Sequence, residues 1–119
     1  MKTNKTSNLQ KLLDDDLIKA CRQGDITQVK KALEKGANVN IIDQEGYTPL
    51  HYAARFGRAY IVQVLLEKNA ETKIQDGGGN TAAHLALKNG HHEVVRLINH
   101  YEYQNYQNTI SLNSGKLIF

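Results

Sequence analysis

One offset recurs through this chain and constrains its fold more than any other feature. Thr48 and Thr81 lie 33 residues apart, as do His51 and His84, and Asp43 and Asp76. Three series carry the same step through three members: Ala20, Ala53, Ala86; Gly24, Gly57, Gly90; and Val29, Val62, Val95. The closest pair of segments is Gly46-Tyr47-Thr48-Pro49-Leu50-His51-Tyr52-Ala53-Ala54 and Gly79-Asn80-Thr81-Ala82-Ala83-His84-Leu85-Ala86-Leu87. Matches at a single offset, with no insertion, mean a repeated supersecondary unit that buries its apolar face only against its neighbours.

Each piece of the unit has a physical reading. Thr48 is placed to cap a helix, and Pro49 then falls at the first helical position, where its missing N–H costs nothing. Leu50, Ala53 and Ala54 make an apolar face of mainly small residues, which lets neighbouring helices approach closely. Gly57 supplies the left-handed backbone that ends this helix. A second helix over about residues 59–68 puts Ile61, Val62, Leu65 and Leu66 on one face. Asn69 follows it, the next best residue after glycine for a positive φ.

A 33-residue period carrying Thr-Pro-Leu-His is the signature of ankyrin repeats. Residues 43–75 resemble that family's pattern along their whole length, and the resemblance extends over about residues 14–101. It implies an all-α repeat solenoid of helix-turn-helix pairs joined by projecting β-hairpin fingers, at about residues 37–47 and 70–80. The expected organisation is a polar N-terminal extension (1–12), a repeat domain (13–103, in units of about 13–42, 43–75 and 76–103) and a C-terminal tail (104–119). The first unit reads as a cap, with Lys19, Lys30, Lys31 and Lys35 keeping its outer face wet and Asp14, Asp15 and Asp16 near a helix start. The third unit decays: Ala82 and Ala83 replace Pro and Leu, and Asn99 stands where Leu33 and Leu66 stand earlier. The tail is expected either to be loosely ordered or to cover the exposed end through Ile110, Leu112, Leu117, Ile118 and Phe119.

Composition excludes several classes of function. No apolar run approaches the ~20 residues of a membrane helix, and the polar N-terminus has no secretory pattern. A net charge of +3 is mild, and the cations are spread among acids instead of massed. The lone Cys21 cannot form an internal disulfide, which points to a reducing, intracellular, cytoplasmic setting.

Catalytic and metal readings are weak. His51 and His84 sit at the motif position, where the resemblance implies hydrogen bonds to backbone of the adjacent finger. His91 and His92 fall at a helix start and His100 near its end, and adjacent helical histidines point about 100° apart, a poor chelate. Asp76-Gly77-Gly78-Gly79-Asn80 lacks the Lys-Ser/Thr of a phosphate loop and reads as a finger tip. Cys21 aligns with Ala54, a small core position, and reads as an inert buried thiol. No metal, no cofactor and no enzymatic activity are expected.

The resemblance implies a protein partner held on a concave face of finger tips and inner-helix ends. By register the fingers contribute Ile42, Gln44, Glu45 and Tyr47, then Gln75, Gly77, Gly78 and Asn80; the helices contribute Arg22, Gln23, Arg55, Phe56, Lys88 and Asn89. Arg22, Arg55 and Lys88 are spaced by 33 and form a basic ladder, with Phe56 and Tyr47 expected as exposed aromatics beside it. Helix dipoles favour such cations by ~0.3–1 kcal/mol each, which explains any one rung. Arginine beside aromatic side chains is also the composition of an interface hot spot, so a partner with an acidic segment and an apolar anchor is expected. Neither nucleic acid nor membrane is, since three rungs give little salt-dependent affinity. A monomeric interaction module (adaptor, inhibitor or host-directed effector) is the first expectation. The frequent Asn and Lys fit an AT-rich genome, in which ankyrin proteins often act on host proteins. The alternative is the targeting portion, or a remnant, of a larger multidomain enzyme or effector.

Overall fold

Thr48 opens the central unit through a reciprocal cap. Its hydroxyl accepts the His51 N–H at 3.2 Å, and His51 Nδ1 accepts the Thr48 N–H at 3.1 Å, with Pro49 beginning the helix. Thr81 and His84 form the same box one unit later. The computed structural model describes residues 2–118, with side-chain surroundings for residues 8–111. Among the described residues are six helices: α1 (Lys2–Gln23), α2 (Ile26–Glu34), α3 (Pro49–Arg55), α4 (Ala59–Glu67), α5 (Ala82–Lys88) and α6 (His92–Ile118). Successive helices pair as α1–α2, α3–α4 and α5–α6; α1, α3 and α5 stack as an inner layer and α2, α4 and α6 as an outer one. No helix among the described residues is long and apolar enough to cross a membrane.

The register seen in the sequence is the register of the core. Ala20, Ala53 and Ala86 are all buried where inner helices meet, and their small side chains allow that approach. Leu17, Leu50, Val29, Val62, Leu65 and Ile98 fill the space between layers. In α4 the buried residues are Ile61, Val62, Leu65 and Leu66, the face that helical spacing predicts. Asn69 has φ 66°, doing there the work of a glycine.

Gly24 and Gly57 serve the stacking as well as the turns. Both have positive φ, 79° and 70°. A Cβ on Gly24 would meet the Arg58 guanidinium at 2.8 Å, and one on Gly57 the His91 ring at 2.6 Å. Arg58 and His91 are themselves 33 residues apart, so each unit lays a side chain over the turn of the unit before it. Arg58 also donates from Nη2 to the Arg22 carbonyl at 3.1 Å.

Four features differ from the sequence-based expectation. The fingers are tight turns, with no strand among the described residues. Each closes on an N–H to carbonyl bond of 2.9 Å, Asp43 to Tyr47 and Asp76 to Asn80. Their flanks bond elsewhere instead of extending a ladder: the Asn38 N–H donates to Asp14 and the Glu71 N–H to Asn40 Oδ1, both at 2.8 Å.

Asp14, Asp15 and Asp16 lie inside a helix, because α1 continues back to Lys2, through the expected polar extension, with no glycine or proline to break it. Asp14 is buried, which suits its carboxylate's role of accepting from the Asn38 backbone and from Gln10 Nε2 at 2.8 Å.

Residues 104–118 continue α6 instead of folding back over the end of the stack, since no proline and no glycine intervenes between Gly90 and Gly115. Tyr103, Tyr106 and Ile110 are exposed along this extension. The side chains of Leu112, Leu117, Ile118 and Phe119, expected over the end, lie outside the described residues. His100 is mid-helix for the same reason, not near a helix end.

Candidate functional site on the concave face

The fingers are shaped by one aspartate each. Asp43 Oδ1 accepts the Glu45 and Tyr47 N–H groups at 2.9 and 3.0 Å. Asp76 Oδ1 accepts those of Gly78 and Asn80 at 2.9 and 2.8 Å. This disposes of the glycine run as a phosphate cradle, because the fold's own carboxylate already occupies two of the N–H groups that would hold a phosphate. In both aspartates burial pushes the pKa up. The Tyr52 hydroxyl with the Tyr47 and Glu45 N–H groups at Asp43, and the Asn80 and Gly78 N–H groups at Asp76, outweigh it and hold each carboxyl below its ordinary value.

The two fingers are not equivalent above that base. Asp43 Oδ2 also accepts the hydroxyl of Tyr52, whose counterpart in the next unit is Leu85. Burial, and then this hydrogen bond, raise the Tyr52 pKa, so the phenol stays protonated as a donor. Tyr47 stands edge-on to Tyr52, ring centroids 5.1 Å apart, and stacks on His51 at 5.7 Å. It is therefore half-buried packing and not the exposed aromatic expected. Asn80 is half-buried too: its carbonyl accepts from His51 Nε2 at 2.9 Å. The Thr48 N–H fixes Nδ1 as acceptor, so Nε2 carries the proton. His84 differs from expectation here, for among the described residues no further finger follows and its Nε2 has no hydrogen bond.

The remaining members of the expected site, Arg22, Gln23, Ile42, Gln44, Glu45, Arg55, Phe56, Gln75, Lys88 and Asn89, are exposed. Arg22 lies over the Tyr52 ring and Arg55 over the Phe56 ring, each 5.5 Å from the centroid. Among the described residues the ion pairs are Lys11–Asp15 and Lys73–Glu102, which leaves Arg22, Arg55 and Lys88 without carboxylate partners. Lys19, Arg22, Gln23 and Phe56 line one depression, of 440 Å³. A second groove, of 440 Å³, opens between α1 and the first finger; Arg22, Ile42, Gln44 and Glu45 line it.

That second groove also takes in residues that sequence reasoning missed, notably Lys11, Asp15, Ile18, Ile41 and Tyr52. A signal for Tyr52 was present, since a phenol stands where the next unit has Leu85. No signal existed for Lys11, which joins the site only because α1 runs back past the start of the first unit. Among the described residues no group of three His, Cys, Asp or Glu converges as a metal would need.

Three antiparallel helix pairs, stacked at a constant 33-residue step with finger turns on one side, define a helical repeat solenoid. The family profile for ankyrin repeats in three copies matches residues 17–109, and the chain belongs to the ankyrin-repeat family. Repeats of this family generally mediate protein–protein interaction. Similar proteins include the mouse 2-5A-dependent ribonuclease, 48% identical over 52 residues that cover 43% of this chain and 7% of that protein. A putative ankyrin repeat protein of fowlpox virus (strain NVSL) is 43% identical over 49 residues, 41% of this chain and 35% of the viral one. Protein VAPYRIN-LIKE of Medicago truncatula is 48% identical over 50 residues, 42% of this chain and 11% of its own. The matched stretch thus spans about a third of the viral relative and about a tenth or less of the other two.

Proposed function

We propose that this chain is a non-catalytic module that binds a protein partner along its concave face, as a monomeric adaptor, inhibitor or host-directed effector in a cytoplasmic setting. The observation that carries this reading is the set of cations Arg22, Arg55 and Lys88, without ion-pair partners among the described residues, together with the exposed Phe56 and with both arginines held against aromatic rings. A guanidinium held in this way has less rotamer freedom left to lose on binding. The partner presents an acidic segment with an apolar anchor, contacted by Arg22, Gln23, Ile42, Gln44, Glu45, Arg55, Phe56, Gln75, Lys88 and Asn89, with Tyr47 and Asn80 contributing from the finger bases. It is neither a nucleic acid nor a membrane.

Affinity capture tests this by pairing the wild type with an Arg22→Glu/Arg55→Glu/Lys88→Glu variant and identifying bound proteins by mass spectrometry. A partner retained by the wild type and lost by the still-folded variant supports the reading; equal capture of the same partner overturns it.

A second reading is favoured by one comparison. A related stretch lies within a protein named as a ribonuclease, of which it is 7%, so repeats like these also occur in enzymes. On this reading the chain is the targeting part of a longer protein. The mass of the endogenous product, compared with the 13.4 kDa of this chain, separates the two.

A further inference from the structure

The groove between α1 and the first finger does not fit a uniformly basic concave face. Ile18, Ile41, Ile42 and Tyr52 give its lining an apolar part. Four carboxylates and two cations also line it, in a chain whose net charge is +3.

These charges have different duties. Asp14 and Asp43 hold the walls: the first accepts from the Asn38 backbone and Gln10, the second from two backbone N–H groups and the Tyr52 hydroxyl. Asp15 and Glu45 are exposed. Lys11 reaches Asp15 at 2.9 Å, but both side chains are more than half exposed, and such i,i+4 pairs are weak and exchange readily. Arg22 lies over Tyr52, beside Asp43. A partner side chain entering the groove therefore meets apolar side chains and net negative charge.

The repeat dictates only part of this: Arg22, Ile41 and Asp43 recur as Arg55, Ile74 and Asp76. One unit later, the positions of Asp15, Ile18, Ile42, Glu45 and Tyr52 are held by Thr48, His51, Gln75, Gly78 and Leu85. The apolar and acidic character that these five residues add is therefore particular to the first unit and does not recur at the 33-residue step.

We propose that this groove takes an apolar side chain of the partner polypeptide next to a lysine or arginine, the cation facing Glu45 and Asp15. The assignment rests on the concave-face reading above and gives the partner a polarity. Its cationic residue meets the first finger, and its acidic segment runs toward Arg55 and Lys88. A polyanion such as nucleic acid is repelled here, because its phosphates would meet a lining with more carboxylates than cations.

The test is selection of a displayed random 12-residue peptide library on the full chain. Enriched peptides are then synthesised and their affinity measured by fluorescence anisotropy. Expected is a Lys or Arg adjacent to an apolar residue, with binding weakened about tenfold or more by Asp15→Lys/Glu45→Lys. Changing the peptide's cation to Glu should restore affinity for that variant, a rescue that misfolding cannot produce. Peptides lacking the cation, equal affinity for the variant, or no enrichment at all overturns the proposal. Loss of binding in Arg55→Glu/Lys88→Glu alone removes this assignment and leaves the concave-face reading standing; loss in neither variant removes both.

Discussion

The middle and last units begin with the same local chemistry and end with different surroundings. Thr48–His51 and Thr81–His84 close identical capping boxes. Yet His51 is 1% exposed and its Nε2 holds the next finger, while His84 is exposed. The contrast is sharper at one core position. Cys21 and Ala54 are each fully buried by the unit that follows, whereas their counterpart Leu87 is 56% exposed. The repeat motif encodes the turn and the helix start, and burial comes from the neighbour.

The largest effect that tests this contrast is a pair of truncations. Leu50 is 1% exposed within the central unit, so Leu50→Ala should cost about 2–5 kcal/mol of unfolding free energy, through lost transfer energy and the cavity left behind. Leu87→Ala removes the same atoms from an exposed position and should stay within about 0.5 kcal/mol. Urea denaturation measures both, and similar losses at the two sites would mean that Leu87 is covered in solution.

A smaller difference is expected between the two histidines. His51→Ala leaves the Thr48 N–H without its acceptor and the Asn80 carbonyl without its donor, both at the buried seam between units. A cost of about 2–3 kcal/mol follows. His84→Ala removes only a cap contact at an exposed helix start, about 1 kcal/mol or less. Native-state hydrogen exchange gives the same comparison without mutation: amides of α5 should open more readily than those of α3 and α4. Equal protection in the two regions would contradict it.

How much of this could be read beforehand follows from the same distinction. Thr48, Pro49, Gly57 and Asn69 act through their own backbone, so their roles were visible in the chain. The face Ile61, Val62, Leu65 and Leu66 was visible because helical spacing alone selects it. Asp14 was not, since its burial depends on Asn38, 24 residues away. The Tyr52–Asp43 bond was missed for a like reason: nine residues and a helix start separate the partners. The helical runs to either side of the repeats were missed because the 33-residue period governs packing and is silent where packing stops. Arg22, Arg55 and Lys88 were legible as a series, but the seating of Arg22 on the ring of Tyr52, in the next unit, belongs to tertiary structure.

Acid should separate the fingers further. The folded pKa values of Asp43 and Asp76 lie below the unfolded value of about 3.9. Their stabilisation is therefore fully present above that pH and is lost as pH falls through the depressed folded values. Asp43→Asn should lower stability at neutral pH and flatten the acid limb of the pH–stability curve. Asp76→Asn should do the same more weakly, since no tyrosine hydroxyl reinforces it. Thermal melts across pH 2–7 give the comparison; an unchanged acid limb in Asp43→Asn would show that its hydrogen bonds are not made in solution.

The smallest effect concerns Cys21, at the register position shared with Ala54 and Leu87. Cys21→Ala installs the residue that the middle unit already uses, and should change stability by about 1 kcal/mol or less. The thiol itself is a sharper probe of which end of the stack opens first. Burial pushes its pKa up to about 12, so at pH 8 only about one thiol in ten thousand is the reactive thiolate. Alkylation by iodoacetamide should then require opening of the α1–α3 seam. If α5 and α6 detach first, Cys21 should label no faster than global unfolding allows, even while α5 amides exchange. Labelling that outruns global unfolding would place the weaker end at α1 and reverse the order of stability on which the comparison of units depends.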